Sequence, residues 1–276
     1  MITVSGAEGE TCATVEHAPL TPQFRGLRIT WVDGATGVPT SDTWYEVFAR
    51  ELADASTSGV RVLATRLVTS RAGDEGGLAP RRAAEQRAAL QRLGFAPAEG
   101  RVEYVLPLDQ AIASLATVAR ERRLAWRSVA SVPGPELTAV AALLERAVEG
   151  DPDHDPSEEA LAMLIQRTKD ASTLQSAECV QVGALDGRDA VVVLPTFRPA
   201  SGVGSLFYLA VAPEARGKGI AAEALMHALV VLAAMGARTY HEGTAAANAP
   251  ARRLLAHLAS EPTLTVEQWR FEIPND

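Results

Sequence analysis

The stretch Leu209-Ala210-Val211-Ala212-Pro213-Glu214-Ala215-Arg216-Gly217-Lys218-Gly219-Ile220-Ala221 constrains this chain more than any other. An apolar strand runs into a proline turn, and a basic glycine-rich loop opens directly into a helix over about 221–234. Glycine lets the backbone approach a ligand closely, and the loop N–H groups can converge on an anion at the positive end of the helix. The helix dipole alone contributes about 0.3–1 kcal/mol at an exposed site. Converging N–H groups and the charge of Arg216 or Lys218 must therefore supply much of the affinity. A pyrophosphate is the natural guest.

Two familiar pyrophosphate motifs fit less well. A P-loop needs Gly-Lys-Ser/Thr, but Lys218 is followed by Gly219, so no hydroxyl is placed for magnesium. A dinucleotide fingerprint tolerates Gly217-Lys218-Gly219-Ile220-Ala221-Ala222, yet it expects a first strand and an acidic residue about 20 positions on. The loop instead lies late in the chain. An oxidoreductase holding a nicotinamide cofactor is the second reading.

Read in register, Arg216, Gly219 and Ala221 after a strand ending Val211-Ala212-Pro213 resemble the signature of the GNAT superfamily of acyl-CoA-dependent N-acetyltransferases, Arg/Gln-x-x-Gly-x-Gly/Ala. Thr244 and Asn248, followed by Pro250-Ala251-Arg252-Arg253-Leu254-Leu255, resemble that family's asparagine turn and the helix behind it, so the likeness covers about 203–258. It implies acetyl-CoA as co-substrate. The backbone of Leu209, Ala210 and Val211, the loop from Arg216 through Gly217, Lys218, Gly219, Ile220 and Ala221, and Asn248 are the implied coenzyme residues. The pantetheine arm is implied to enter a splay between the fourth and fifth strands.

Composition restricts the classes that remain. At 276 residues the chain can bury one large or two ordinary cores. No apolar run reaches the ~20 residues of a membrane span, and Met1 to Thr14 does not read as a secretory signal. Cys12 and Cys179 match neither a metal spacing nor a disulfide framework. A formal charge of −8 argues against a general nucleic-acid binder and suits a cationic acceptor. The expectations are a cytoplasmic, bacterial protein with no metal, no membrane and no nucleic acid, and with a homodimer left open. The alanine richness and the choice of arginine over lysine motivate the bacterial source.

Periodicity predicts helices over 41–55, 81–93, 136–149 and 158–168, and strands over 27–32, 60–68, 102–106, 127–132, 204–211 and 264–273. A hairpin over 179–198 turns at Asp186-Gly187-Arg188. Residues 1–22 read as a loose or strand-like lead-in, and 108–126 as a connection. The order strand, helix, strand over 59–106 repeats over 236–273. Because no Arg-x-x-Gly-x-Gly/Ala loop precedes Val60, residues 1–125 are expected to form a degenerate GNAT-like module and residues 126–276 an acyl-CoA-binding one. The fold class is α+β, a mixed, mostly antiparallel sheet flanked by helices.

In the family a neutral amine attacks the thioester directly, so a base must take a proton and the leaving thiolate must gain one. The resemblance places Ser205 where some members carry a glutamate base, and Leu255, seven residues past Asn248, where the acid tyrosine usually stands. Replacement candidates are Tyr208 on the fourth strand and Tyr240, His241 and Glu242 at the end of the fifth. Alternation puts Tyr240 and Glu242 on one face and His241 on the other. Asp151, Asp153 and Asp155 are candidates for holding a cationic acceptor, or else form a solvated turn. The predicted activity is acetyl transfer to a small-molecule amine. A non-catalytic acyl-CoA sensor, or acetylation of a peptide or protein amine, is the alternative.

Overall fold

The structure, a computed structural model, describes residues 1–6, 8–21, 24–32, 35–72, 74, 76–119, 121–129, 135–149, 180–259 and 261–274. The chain forms two compact units, Met1–Val102 together with Thr263–Asp276, and Glu103–Pro262.

The first unit carries β1 (Ile2–Ser5), β2 (Thr11–Thr21), β3 (Phe24–Trp31), α1 (Ser41–Thr57), β4 (Val62–Arg71), α2 (Leu78–Arg92) and β5 (Ala96–Pro97). Its sheet is completed by the last strand of the chain, β12 (Leu264–Glu272), in the order β1-β2-β3-β4-β12 with β5 also on β12. β12 runs antiparallel to β4 from Leu264 opposite Arg71 to Glu272 opposite Val62. That ladder is why the C-terminal segment belongs to this unit. The lead-in is a pair of antiparallel strands, with Val4, Cys12, Ala13 and Val15 buried. Two helices cover the sheet. Trp44, Val47 and Phe48 of α1 are buried as their spacing predicts, alongside Leu63, Leu67, Leu90, Phe95 and Trp269.

Caps explain where these helices begin. Thr40 caps α1 by accepting from Thr43 N. α2 starts ahead of the predicted Arg81 because Asp74 accepts from the N–H groups of Leu78 and Ala79 at 2.9 and 2.6 Å. Those two donors also hold the Asp74 carboxyl below its ordinary range.

The second unit contains β6 (Arg101–Pro107) from Glu103 onward, α3 (Leu108–Ala116), β7 (Leu124–Val129), α4 (Pro135–Val148), β8 (Val180–Leu185), β9 (Arg188–Arg198), β10 (Val203–Val211), α5 (Ile220–Ala234), β11 (Thr239–Ala245) and α6 (Ala249–Leu255). The strand order is β6-β11-β10-β9-β8-β7. β10 runs parallel to β11 here, and β3 runs parallel to β4 in the first unit. α3, expected as mere connection, buries Leu108, Ala111 and Leu115 on one face. The β8–β9 hairpin turns through Asp186 and Gly187, both at positive φ (51° and 76°), as a tight two-residue turn requires.

α5 packs its buried Leu225, Ala228, Leu229 and Leu232 over β9 and β10. Its first-turn Glu223 accepts the N–H groups of Arg123 and Leu124 at 2.9 to 3.1 Å, tying the start of β7 to the start of α5. His227 on the same helix stacks on Trp126 with ring centroids 3.9 Å apart and bonds Gln181, so it is a packing residue. Among the described residues no helix is long and apolar enough to cross a membrane.

Candidate active site

β10 and β11 pair at Val203 with Thr239 and at Gly204 with Tyr240. Glycine is needed at that meeting point. A Cβ on Gly204 would lie 3.0 Å from Leu232 Cδ2 and from Ala237 Cβ, tighter than a packed interior accepts without movement. Past Gly204 no further β10–β11 pair is formed, and the edge of β10 facing β11 opens.

Along its other edge β10 pairs with β9 through one irregularity, since Leu206 opposes Pro195 and Tyr208 opposes Leu194. Phe207 is the inserted residue. Pro195, which has no N–H, is tolerated within β9 because it sits at this bulge. An inserted residue reverses which backbone groups face which neighbour, and the hydrogen bonds on either side show it. Leu206 N–H faces β11 and donates to the Glu242 carboxylate at 3.0 Å. Ala212 N–H faces the opposite way, donating to Ala190 O at 2.8 Å. Alternation then turns Leu209 and Val211 toward the open side and Ala210 toward β9. The Val211 carbonyl agrees, accepting from Arg216 Nε at 3.1 Å. Without the bulge, Leu209 and Val211 would face β9 instead.

A single 3-10 turn, Pro213–Ala215, leads from β10 into the loop. Gly217 and Gly219 both take positive φ, 73° and 75°, a region costly for other residues. Among the described residues, the N–H groups of Gly217, Lys218 and Gly219 have no protein acceptor. Among the described residues, a Cβ on either glycine would meet nothing within 4 Å. Gly219 is the N-cap of α5 and offers no side-chain acceptor to its first turn. Donors so exposed at an uncapped helix start are able to receive an anion.

The Arg216 side chain does something other than expected. Its Nη2 and Nη1 donate to the carbonyls of Ala147 and Glu149 at 2.7 and 3.2 Å, while Nε holds Val211 O. The guanidinium clamps the end of α4. Lys218 is exposed, and its carbonyl accepts from Arg123 Nη1 at 2.9 Å. Asn248 is the cap of α6: its Oδ1 accepts from Ala251 N at 3.0 Å. Asp151, Asp153 and Asp155 lie outside the described residues.

Glu242 stands at the mouth of the splay. Besides Leu206 N–H, its carboxylate accepts from the Tyr240 hydroxyl and from Gly243 N–H, each at 3.1 Å. Burial pushes this carboxyl up to about 7, against the opposing pull of the Gly243 and Leu206 N–H groups, the Tyr240 hydroxyl and the charge of His241. Tyr240 is fully buried, and burial together with the neighbouring Glu242 raises its hydroxyl well above the ordinary value. Tyr208, just past the bulge, is 7% exposed. His241 takes the other face of β11, where its Nε2 lies 3.0 Å from Glu103 Oε2. The motifs did not reveal that Glu103 partners His241 or that the Leu206 N–H partners Glu242. The visible signal for Glu103 was a carboxylate inside the apolar run Val102-Glu103-Tyr104-Val105-Leu106. Leu255, in the place of the family's acid tyrosine, is buried at 4% exposure. Among the described residues no group of three or more His, Cys, Asp or Glu is placed to hold a metal ion.

A splayed parallel strand pair, a bulge before it and an uncapped helix start behind it form a recognisable combination. The model of the acetyltransferase (GNAT) family matches residues 157–259. That segment is a GNAT acetyltransferase domain. The described part of the GNAT domain holds β8 to β11, α5 and α6, and so every element of the site except β6. No curated protein gives a significant match. Among solved structures, the chain is similar to a GCN5-related N-acetyltransferase from Sphaerobacter thermophilus, at 17% identity and a TM-score of 0.62, covering 99% of this chain and 80% of that one. It is also similar to a tandem GNAT protein from the clavulanic acid biosynthesis pathway, at 16% identity and a TM-score of 0.63, covering 98% and 82%. A GCN5-related N-acetyltransferase from Kribbella flavida is 14% identical, with a TM-score of 0.54 and coverage of 91% and 82%. These likenesses extend the GNAT fold beyond the matched segment over nearly the whole chain.

Proposed function

We propose that this protein is an acetyl-CoA-dependent N-acetyltransferase acting on the amine of a small molecule, with Glu242 as the base. One observation carries the reading: a carboxyl whose proton affinity is centred near pH 7 sits in the splay, bonded across it to Leu206 N–H. The site fits the coenzyme. The N–H groups of Gly217, Lys218 and Gly219 and the first turn of α5 receive a pyrophosphate. The main-chain groups of Leu209 and Val211 receive the amides of a pantetheine arm.

Acetyl-CoA supplies an acetyl group on a thioester: the new N–C bond forms, the C–S bond breaks, the amine gives up a proton and the thiolate gains one. Glu242 takes the amine proton, directly or through a water, and a base with this affinity suits neutral pH. Tyr208, or water, returns a proton to the sulfur. Asp151, Asp153 and Asp155 attract the cationic acceptor. The first unit is the degenerate GNAT-like partner of a tandem arrangement. A second reading, an acyl-CoA sensor without turnover, is favoured by Ser205 and by the buried Leu255. Acetylation of a peptide amine shares the same chemistry.

Free-thiol release from acetyl-CoA over a panel of small amines separates these readings. Release above hydrolysis is expected with at least one amine, with kcat/KM rising through an acid limb near pH 7 as Glu242 loses its proton. Saturable acetyl-CoA binding with no release for any amine would leave the sensor.

A further inference from the structure

Two separate ties join the start of β7 to the start of α5 and the loop before it. The first runs from main chain to carboxylate, since the Arg123 and Leu124 N–H groups donate to Glu223 at 2.9 to 3.1 Å. The second runs from side chain to main chain. Arg123 Nη1 donates to the Lys218 carbonyl at 2.9 Å. That carbonyl belongs to the peptide unit whose other end is the Gly219 N–H, one of the donors with no protein acceptor among the described residues.

A trans peptide is planar, with its C=O and N–H pointing in opposite directions, and among the described residues none is cis. Holding the Lys218 carbonyl toward Arg123 therefore directs the Gly219 N–H away from Arg123. The residues that flank this unit make such a tie necessary. Gly219 stands at φ 75°, and glycine populates negative φ about as readily. Turning the unit over changes chiefly ψ of Lys218 and φ of Gly219, so the reversed orientation costs little. It would present a carbonyl oxygen where the N–H had been, and an anion is repelled by it. Glu121 competes weakly for the guanidinium: its Oε2 lies 3.9 Å from Arg123 Nη1 and its side chain is 79% exposed.

We propose that Arg123 is a positioning residue for the coenzyme: its guanidinium, bonded to the Lys218 carbonyl, sets the Lys218–Gly219 peptide with its N–H on the side that receives the pyrophosphate. This rests on the acetyl-CoA reading of the loop. The role differs from that of a charge laid on a phosphate, because the guanidinium holds the opposite end of the peptide. It also differs from that of Arg216, whose bonds go to Val211, Ala147 and Glu149 and leave this peptide alone. Affinity is gained by setting the donor in advance. A loop that samples both orientations binds more weakly in proportion to the time spent in the competent one.

Arg123→Ala removes the guanidinium and keeps both main-chain bonds to Glu223, so β7 stays tied to α5. Two measurements on the full chain test the proposal. The residual dipolar coupling of the Gly219 N–H bond, read without ligand and assigned with Gly219→Ala, reports the direction of that bond. In the wild type it is expected to fit one orientation, antiparallel to the Lys218 carbonyl; in Arg123→Ala it is averaged toward a smaller value, while the couplings of β7 and β10 are unchanged. Calorimetric titration with acetyl-CoA is expected to show ~3–10-fold weaker binding in Arg123→Ala. An unchanged Gly219 coupling in that variant overturns the proposal, even if affinity falls, and so does wild-type affinity. The acetyl-CoA reading fails separately, if the wild-type chain gives no binding heat.

Discussion

Glu242→Gln is expected to lower kcat for thiol release by ~10²–10⁴, the range of a positioned general base, while leaving acetyl-CoA affinity unchanged. The substitution keeps the shape of the side chain and an acceptor for Leu206 N–H across the splay, while the amide nitrogen takes the place of the oxygen that accepts from Gly243 N–H. What is removed is the proton acceptor. The same variant carries an opposite signature in stability. The Glu242 carboxyl is raised from 4.5 to about 7 in the folded protein. Its protonated form is thus favoured by folding, a contribution complete below the unfolded value and lost as pH rises through 7. Glutamine does not titrate. At pH 8 the variant should therefore be more stable than the wild type, by up to roughly 1–3 kcal/mol in denaturant unfolding, and the difference should vanish near pH 4. A variant that is both inactive and stabilised separates loss of chemistry from loss of fold. Equal activity, or a variant destabilised at pH 8, is the contrary result.

Gly219→Glu is expected to weaken acetyl-CoA binding by ~30-fold or more. Gly219 has φ 75°, and a side chain there costs about 1–2 kcal/mol, while the added carboxylate faces the same cradle as the pyrophosphate. Each 1.4 kcal/mol is about a factor of ten in affinity. Among the described residues a Cβ at Gly219 meets nothing within 4 Å, so the ligand-free melting temperature should fall by only ~2–4 °C. Calorimetry and thermal protection by acetyl-CoA read both effects. Wild-type affinity in this variant would place the pyrophosphate elsewhere.

The elements of the site were legible to different degrees, for physical reasons. The loop could be read because positive φ demands glycine and the strand and helix around it have strong periods; α5 begins at Ile220, one residue from its expected start. The splay and the bulge left no such mark. Phe207 is chemically an ordinary strand residue, and its insertion shows only in the register with β9. The role of Arg216 was legible as charge and not as direction, since its guanidinium turns to carbonyls of α4 that lie far away in sequence. Tyr240, His241 and Glu242 were divided correctly between two faces by alternation alone, as their bonds to one another and to Glu103 show. Glu103 itself is brought to His241 by a strand pairing of 138 residues' separation. The repeat over 59–106 and 236–273 was visible, but the placement of its closing strands was not: β12 joins the first unit, while most of β6 joins the second. Local pattern fixes a strand and says little about which neighbour completes its ladder.

Calorimetric titration of the full chain with acetyl-CoA tests the central claim most directly. The Arg-x-x-Gly-x-Gly/Ala loop stands before α5 and has no counterpart before Val60, so one saturable site per chain is the expected result, with its affinity reduced ~30-fold or more by Gly219→Glu. Absence of binding, a second site of similar affinity, or one site indifferent to Gly219 would contradict it.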